Sequence, residues 1–180
     1  MALRDYPSFS LLFVAAAAVV LLFAAGGAEA RFKGINQWCR TSDYKALCTQ
    51  MVKGATTQKD AIANAVTTTL DVTLRMGPLL DGLGAVEFNL PNATKDAVVS
   101  TCRDSFGSAT DNLKDALLYL QKVDDPYTTL DRIQTAETNL YGCADAVTQM
   151  GGRWVNTPLA RASKIIFKFA SNCLAVATQM

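Results

Sequence analysis

Residues 99–120 read VSTCRDSFGSATDNLKDALLYL, and this stretch decides the fold. Its apolar side chains recur at alternating steps of three and four residues, the spacing of one face of an α-helix. They are Val99, Cys102, Phe106, Ala109, Leu113, Ala116 and Leu120. Two later stretches repeat the spacing: Ile133, Ala136, Leu140, Cys143, Val147 and Met150, and then Leu159, Ala162, Ile166, Phe169, Cys173 and Val176. The three stripes predict three long amphipathic helices that share a core.

A fourth helix is predicted from about Gln58 to Leu83, where the apolar spacing is less regular. Proline lacks a backbone N–H, so we expect Pro78 to bend the last turns of this helix. Its predicted inner face is Ile62, Val66, Leu70, Met76, Leu80 and Leu83.

The connections between these helices are short and rich in turn residues. Asp125-Pro126 and Thr157-Pro158 each place a capping side chain directly before a proline that suits the first helical position. Short connections make consecutive helices antiparallel. The sequence therefore predicts an all-α fold, an up-and-down four-helix bundle with an N-terminal helical extension at about 36–48.

Composition excludes several classes of function. The 180 residues suffice for one domain, and a formal charge of +1 with no Lys/Arg-rich run argues against nucleic acid as a partner. The chain has no histidine, so Ser-His-Asp and Cys-His catalytic systems and histidine metal sites are excluded. We expect no cofactor and no metal.

The first thirty residues are interpreted as a secretory signal peptide. Arg4 precedes an apolar run at 11–25, and Ala28-Glu29-Ala30 fits a cleavage site before Arg31. The run is shorter than the roughly 20 residues of a membrane-spanning helix. We therefore expect a mature domain at 31–180 that is secreted without a stable membrane anchor. In that pathway, Asn92-Ala93-Thr94 is a candidate glycosylation site at Asn92.

Secretion allows the cysteines to form disulfides. Cys102 and Cys143 lie on consecutive helices at similar distances from the turn near Asp124, so an antiparallel hairpin brings them level. We predict that this pair is bonded and that Cys39 and Cys48 close a short loop in the extension. Cys173 is then a free thiol, expected to be buried as a small apolar side chain.

Two other classes of function remain open at this point. A secreted carrier of an apolar ligand would need an under-filled core, for which Ala61, Ala63, Ala65 and Thr67–Thr69 give a weak indication. An enzyme could use paired carboxylates, either Asp124 with Asp125 or Asp111 with Asp115. Adjacent acids in a turn are usually a helix cap, and acids four residues apart are usually an exposed helix face.

The segment Cys39-Arg40-Thr41-Ser42-Asp43-Tyr44-Lys45-Ala46-Leu47-Cys48 has the pattern C-x-T-x-x-Y-x-x-x-C. Together with the leader, Cys102-Arg103-Asp104-Ser105-Phe106, Cys143-Ala144-Asp145 and Cys173, it resembles the plant invertase and pectin methylesterase inhibitor family. The resemblance covers nearly the whole mature chain. It implies a disulfide-stabilised four-helix bundle with an N-terminal helical hairpin, the disulfides Cys39–Cys48 and Cys102–Cys143, and a free Cys173.

The resemblance also implies a function without catalysis. It indicates a secreted apoplastic protein, expected to be a monomer when free, that blocks the active-site region of a plant cell-wall enzyme. Pectin methylesterase is the favoured target and invertase the alternative.

Two departures from the family pattern bear on the target. Invertase inhibitors of the family carry Pro-Lys-Phe at the turn between the second and third bundle helices, whereas this chain keeps Pro126 but follows it with Tyr127 and Thr128. The candidate partner-binding residues are therefore Asp124, Asp125, Pro126 and Tyr127. The second departure is Gly142, where the family usually has threonine before the cysteine.

Overall fold

Four long helices pack around one core, and a short helical extension lies against one of them. A computed structural model of the chain describes residues 34–78, 80, 92–149 and 157–180, without the side chains of residues 92 and 93. Within these residues all regular structure is helical. The helices are α1 Lys45–Met51, α2 Gln58–Leu74, α3 Asn92–Leu118, α4 Pro126–Gln149 and α5 Pro158–Ala177. A 3₁₀ turn at Gln37–Cys39 precedes α1, and a π-helical turn at Tyr119–Val123 prolongs α3.

The apolar stripes of α3 and α4 form the centre of the bundle, as the sequence predicts. All seven predicted positions between Val99 and Leu120 are buried, and so are the predicted positions of α4 from Ile133 to Val147. On α5 the prediction holds except at Phe169, which is half-buried while Ala170 is buried. Met150 lies outside the described residues. The fold prediction, an all-α four-helix bundle, is confirmed.

Helix α2 ends earlier than the sequence predicts. Its last residue is Leu74, and Arg75 caps it, so the expectation that Pro78 only bends the helix is wrong. The proline ring clashes with the carbonyl of the residue four positions earlier, and for Pro78 that residue is Leu74. One further helical turn follows, in which the Leu80 N–H donates to the Met76 carbonyl at 3.1 Å. Leu83 lies outside the described residues.

The buried face of α2 also differs from the prediction. Ile62, Val66 and Leu80 are buried as predicted, but Leu70 and Met76 are only half-buried. Thr69 and Thr73 take the inner positions instead. Their hydroxyls donate to the carbonyls of Ala65 and Thr69, each at 2.8 Å. The buried hydroxyl groups therefore have hydrogen-bond partners within the helix. A threonine with this internal hydrogen bond can extend an apolar stripe.

The N-terminal extension is held to α5 by buried polar contacts. A disulfide joins Cys39 to Cys48 with their Cα atoms 5.7 Å apart. The Ser42 hydroxyl donates to Oδ1 of the fully buried Asn172, whose Nδ2 donates to the Tyr44 carbonyl at 3.2 Å. Nε2 of Gln179 donates to the Trp38 carbonyl at 2.7 Å. These contacts fix the extension on the C-terminal half of α5.

The α3–α4 hairpin is joined by a disulfide between Cys102 and Cys143, whose Cα atoms are 4.5 Å apart. Because Cα atoms lie about 2.3 Å from a helix axis, this distance corresponds to an axial separation of about 9 Å, normal for packed helices. Gly142 lies at the same level. A Cβ atom added there would lie 3.4 Å from the Ser105 hydroxyl oxygen, which is ordinary contact. The bundle therefore does not require glycine at this position.

Candidate partner-binding surface

The turn between α3 and α4 joins a π-helical turn at the end of α3 to a capped first turn of α4. The π-helical turn ends at Asp124, whose φ of 58° and ψ of 43° place it in the left-handed region. Aspartate tolerates that region better than most residues. Asp125 then caps α4, since its Oδ1 accepts from the Thr128 N–H at 3.0 Å and its Oδ2 from the Thr128 hydroxyl at 2.6 Å. Pro126 occupies the first position of α4, as predicted.

An ion pair connects this turn to the start of α2. Lys59 Nζ lies 2.6 Å from Asp124 Oδ1, although the two residues are 65 positions apart in sequence. Both side chains are largely exposed, Asp124 at 82%, so the pair contributes less than about 1 kcal/mol to stability. The pair places the Asp124 carboxylate beside Lys59 at the end of the bundle.

A groove of about 290 Å³ opens between the turn, the start of α2 and the C-terminal residue. Three of the four predicted partner-binding residues line it, namely Asp124, Asp125 and Pro126. The other lining residues are Gln58, Lys59, Ile62, Leu120 and Met180. In the wall, Nε2 of Gln58 is buried and has no hydrogen-bond partner among the described residues. A buried donor of this kind is costly unless a bound group satisfies it.

Tyr127 projects from the first turn of α4 and is 86% exposed. Val123, at the end of the π-helical turn, is also exposed. Exposed aromatic side chains are common anchors of protein interfaces because they bury a large area at a low entropic cost. The end of the bundle thus combines an apolar groove, a fixed carboxylate and an exposed aromatic ring.

The carboxylates of the turn are arranged for capping and ion pairing. The hydrogen bond from the Thr128 hydroxyl lowers the pKa of the Asp125 carboxyl, so it stays ionised as a cap. Asp124 is engaged by Lys59. The other candidate pair, Asp111 and Asp115, lies on α3, where Asp111 is 3.6 Å from Lys114. Capping and ion pairing thus account for the placement of Asp125, Asp124 and Asp111.

Cys173 lies within the core of the bundle. It is fully buried, and burial raises the pKa of its thiol to about 12. The thiol is therefore protonated and shielded from solvent, which makes it unreactive in the folded protein.

Other sequence predictions concern parts of the chain that the structure describes in part or not at all. Asn92 is the first residue of α3, but its side chain lies outside the described residues, and glycosylation stays a prediction. The leader at 1–30 also lies outside them. None of the described helices combines the length and apolar character needed to cross a bilayer. Among the described side chains no group of His, Cys, Asp or Glu could hold a metal ion.

The carrier hypothesis depended on small residues in α2. Ala61 and Ala65 are completely buried in the packed core, and Thr69 fills its position with an internally bonded hydroxyl. Ala63 is half-buried and Thr67 is exposed. No observation favours an apolar ligand at these residues.

Sequence reasoning missed three residues that complete the surface. Lys59, Gln58 and Met180 belong to the groove, yet they are remote in sequence from the turn. Their positions in the sequence do not indicate that they share a groove. They reach it only because α2 and Met180 pack beside the α3–α4 turn.

Comparisons with known proteins agree with the fold. The model of a family described as plant invertase/pectin methylesterase inhibitor matches residues 33–176. The match spans most of the sequence, so the chain belongs to this family of inhibitor proteins. A similar solved structure is the crystal structure of mutant form A of a pectin methylesterase inhibitor from Arabidopsis, with a TM-score of 0.66 and 16% identity. The match covers 80% of this chain and 95% of that one. A search of curated proteins finds no match.

Proposed function

We propose that this protein inhibits a pectin methylesterase by stoichiometric, non-covalent blocking of the active-site region. Membership of the family gives two target enzymes, and the charge of the α3–α4 hairpin favours one of them. Between residues 92 and 149 the chain has nine acidic and five basic side chains. One of these nine, Asp124 at the turn, is an exposed carboxylate that pairs with Lys59.

Electrostatic complementarity favours this target. Removing methyl esters from pectin leaves a polymer with a carboxylate on each de-esterified sugar. As the enzyme works along a polymer that becomes a polyanion, positive charge around its cleft would hold that polymer, and an acidic hairpin would complement such charge. Invertase is a glycosidase, and glycosidases act through a pair of carboxylates. An acidic turn that lacks the Lys-Phe element of the family's invertase inhibitors would be repelled there.

The groove and Tyr127 supply the remaining contacts of the proposed interface. Tyr127 offers an aromatic anchor, and the unpartnered amide nitrogen of Gln58 offers a hydrogen-bond donor to a carbonyl of the enzyme. Both lie beside the Asp124 carboxylate at one end of the bundle. A rigid, pre-formed surface loses little entropy on binding.

The deciding experiment measures inhibition of pectin methylesterase and of acid invertase by the purified domain 31–180. We expect an equimolar complex with pectin methylesterase on gel filtration, loss of its activity at equimolar inhibitor, and no effect on invertase. Inhibition of invertase alone would reverse the assignment. Full activity of both enzymes at a molar excess of inhibitor would reject it.

The contribution of the turn is tested by Tyr127→Ala, with Tyr141→Ala as the matched control. Tyr141 is also exposed on α4 but is distant from the turn, and its ring packs 5.7 Å from that of Phe167. We expect Tyr127→Ala to weaken the complex by at least about tenfold, the effect of losing an aromatic anchor. Equal weakening by both variants would place the interface elsewhere.

We further propose that residues 1–30 are a leader and that the mature protein acts in the apoplast, where family members are secreted. Expression of the full sequence in plant cells should release a product whose N-terminal residue is Arg31. Retention of the product inside the cells would contradict this.

A further inference from the structure

The outer face of α5 carries only positive charge. Residues 158–177 include Arg161, Lys164 and Lys168 and no acidic residue. All three basic side chains are exposed. The α3–α4 hairpin has the opposite excess, so charge is segregated within a nearly neutral protein.

The three cations form one narrow stripe. With 3.6 residues per turn, positions 161, 164 and 168 fall within an arc of about 60° around the helix. With a rise of 1.5 Å per residue, the stripe extends over roughly 10 Å along the axis. Exposed Ile165 lies beside it on the same face.

No described carboxylate neutralises the cations of the stripe. Arg161 and Lys164 make no ion pair with any described residue. Lys168 Nζ lies 5.3 Å from the centroid of the Tyr44 ring, a cation–π contact that keeps its charge and restricts its position. The stripe is therefore a row of positive charge that is available to an external anion, with Lys168 held in position by Tyr44.

The bundle places this row diagonally opposite α3, the first helix of the hairpin. Helix α5 packs against α2 and α4, and α3 also packs against α2 and α4, so α3 and α5 are diagonal in the bundle. A polyanion is repelled by the hairpin and attracted by α5. Helix α4, which packs against α5, carries part of the acidic excess, so the region suited to a polyanion is the exposed face of α5 itself.

We propose that the outer face of α5 binds the carboxylates of a linear polyuronate, the de-esterified polymer that pectin methylesterase produces. A single file of cations one helix wide matches a linear chain with regularly spaced carboxylates better than the broad surface of an acidic protein. The exposed Ile165 side chain can contact the apolar face of a sugar ring. The biological role of this binding rests on the proposed function, because polymer binding would concentrate the inhibitor where the enzyme has acted. The binding of the polymer itself does not depend on the proposed function.

The test is binding of the mature protein to polygalacturonate, measured by affinity electrophoresis at low and at physiological salt. Highly methyl-esterified pectin serves as the comparison polymer. We expect retardation by polygalacturonate, little by the esterified polymer, and a loss of binding as salt rises, since screening weakens exposed charge contacts. Equal retardation by the two polymers, or none by polygalacturonate at low salt, would overturn the proposal.

The stripe is tested with Arg161→Gln, Lys164→Gln and Lys168→Gln combined. The control combines Lys53→Gln, Arg75→Gln and Lys114→Gln, which removes the same charge from exposed positions outside α5. Each exposed ion pair contributes modestly, so we expect the α5 variant to bind about tenfold more weakly and the control to change less than about twofold. Equal losses of binding in the two variants would show that binding depends on net charge alone, and this would overturn the assignment to α5.

Two further measurements keep the outcome unambiguous. If the triple variant folds poorly, the double variant Arg161→Gln with Lys164→Gln replaces it, because it keeps the contact of Lys168 with Tyr44. We expect the double variant to lose most of the binding to polygalacturonate. Complex formation with pectin methylesterase, measured without polymer, should be unchanged in the α5 variant. A weakened complex would assign the stripe to the enzyme interface instead and overturn the proposal. Failure of the unmodified protein to bind the enzyme would reject the proposed function without affecting the polymer result.

Discussion

Two parts of this protein are closed by a disulfide, and they are held in place in different ways. In the N-terminal extension, Cys39 and Cys48 are 9 residues apart, and buried polar contacts to Asn172 place the loop on α5. In the α3–α4 hairpin, Cys102 and Cys143 are 41 residues apart and join two helices that already share a continuous apolar stripe. A disulfide across a short loop shapes that loop, whereas packing and hydrogen bonds decide where it lies.

The largest expected difference comes from removing each disulfide. In the loop-entropy model, Cys102→Ala with Cys143→Ala destabilises the protein by about 4 kcal/mol, and Cys39→Ala with Cys48→Ala by about 3 kcal/mol. Denaturant unfolding of the two double variants measures both values. A larger loss of stability on removing Cys39–Cys48 would contradict the prediction and show that the disulfide of the extension stabilises the protein more.

The second prediction breaks the polar attachment of the extension. Asn172→Ala leaves the Ser42 hydroxyl and the Tyr44 carbonyl without their buried partner, and we expect a loss of about 1–3 kcal/mol. Hydrogen exchange should increase mainly at 36–51 and little in α3 and α4. The control is Asn139→Ala, since Asn139 is half-buried on α4 and makes no hydrogen bond to another described residue. A uniform increase in exchange across the bundle would contradict this attachment.

The third prediction concerns the glycine beside the hairpin disulfide. Gly142→Ala should stabilise the protein by up to about 1 kcal/mol, because alanine favours the helix and its Cβ makes only ordinary contact with Ser105. Gly107→Ala, on the exposed side of α3 with open space around it, gives the reference gain. Thermal unfolding compares the two. Destabilisation by Gly142→Ala alone would indicate that α3 and α4 cannot separate by even a few tenths of an ångström.

The smallest expected effect is a dependence of stability on pH. Burial beside α5 raises the pKa of the Glu137 carboxyl. Its charged form is disfavoured in the folded state, so the stability that it contributes is present below its ordinary pKa of 4.5 and is lost as pH rises through the raised value. Glu137→Gln should remove this decline and be slightly more stable at pH 7, by less than about 1 kcal/mol. Identical pH profiles of the two proteins in unfolding experiments would contradict the prediction.

The helices differ in how far their sequences predict them. The stripes of α3 and α4 are apolar at every step, and the structure buries all of the described positions that they indicate, from Val99 to Leu120 and from Ile133 to Val147. In α2 the inner face passes through Thr69 and Thr73, whose polar character hides the period, and Pro78 ends the helix at Leu74. A pattern of apolar residues cannot identify a buried threonine, since its suitability depends on a hydrogen bond that forms only in the helix.

The sequence by itself determined the helical class, the inner stripes of three helices, the capping of α4 and α5 and the resemblance to an inhibitor family. These depend on local spacing and on the chemistry of neighbouring residues. Only the tertiary structure decided that Lys59 meets Asp124, that Asn172 anchors the extension and that Gln58 and Met180 complete the groove. The physical reason is that such contacts join residues far apart in the chain, and their geometry exists only once the helices have packed.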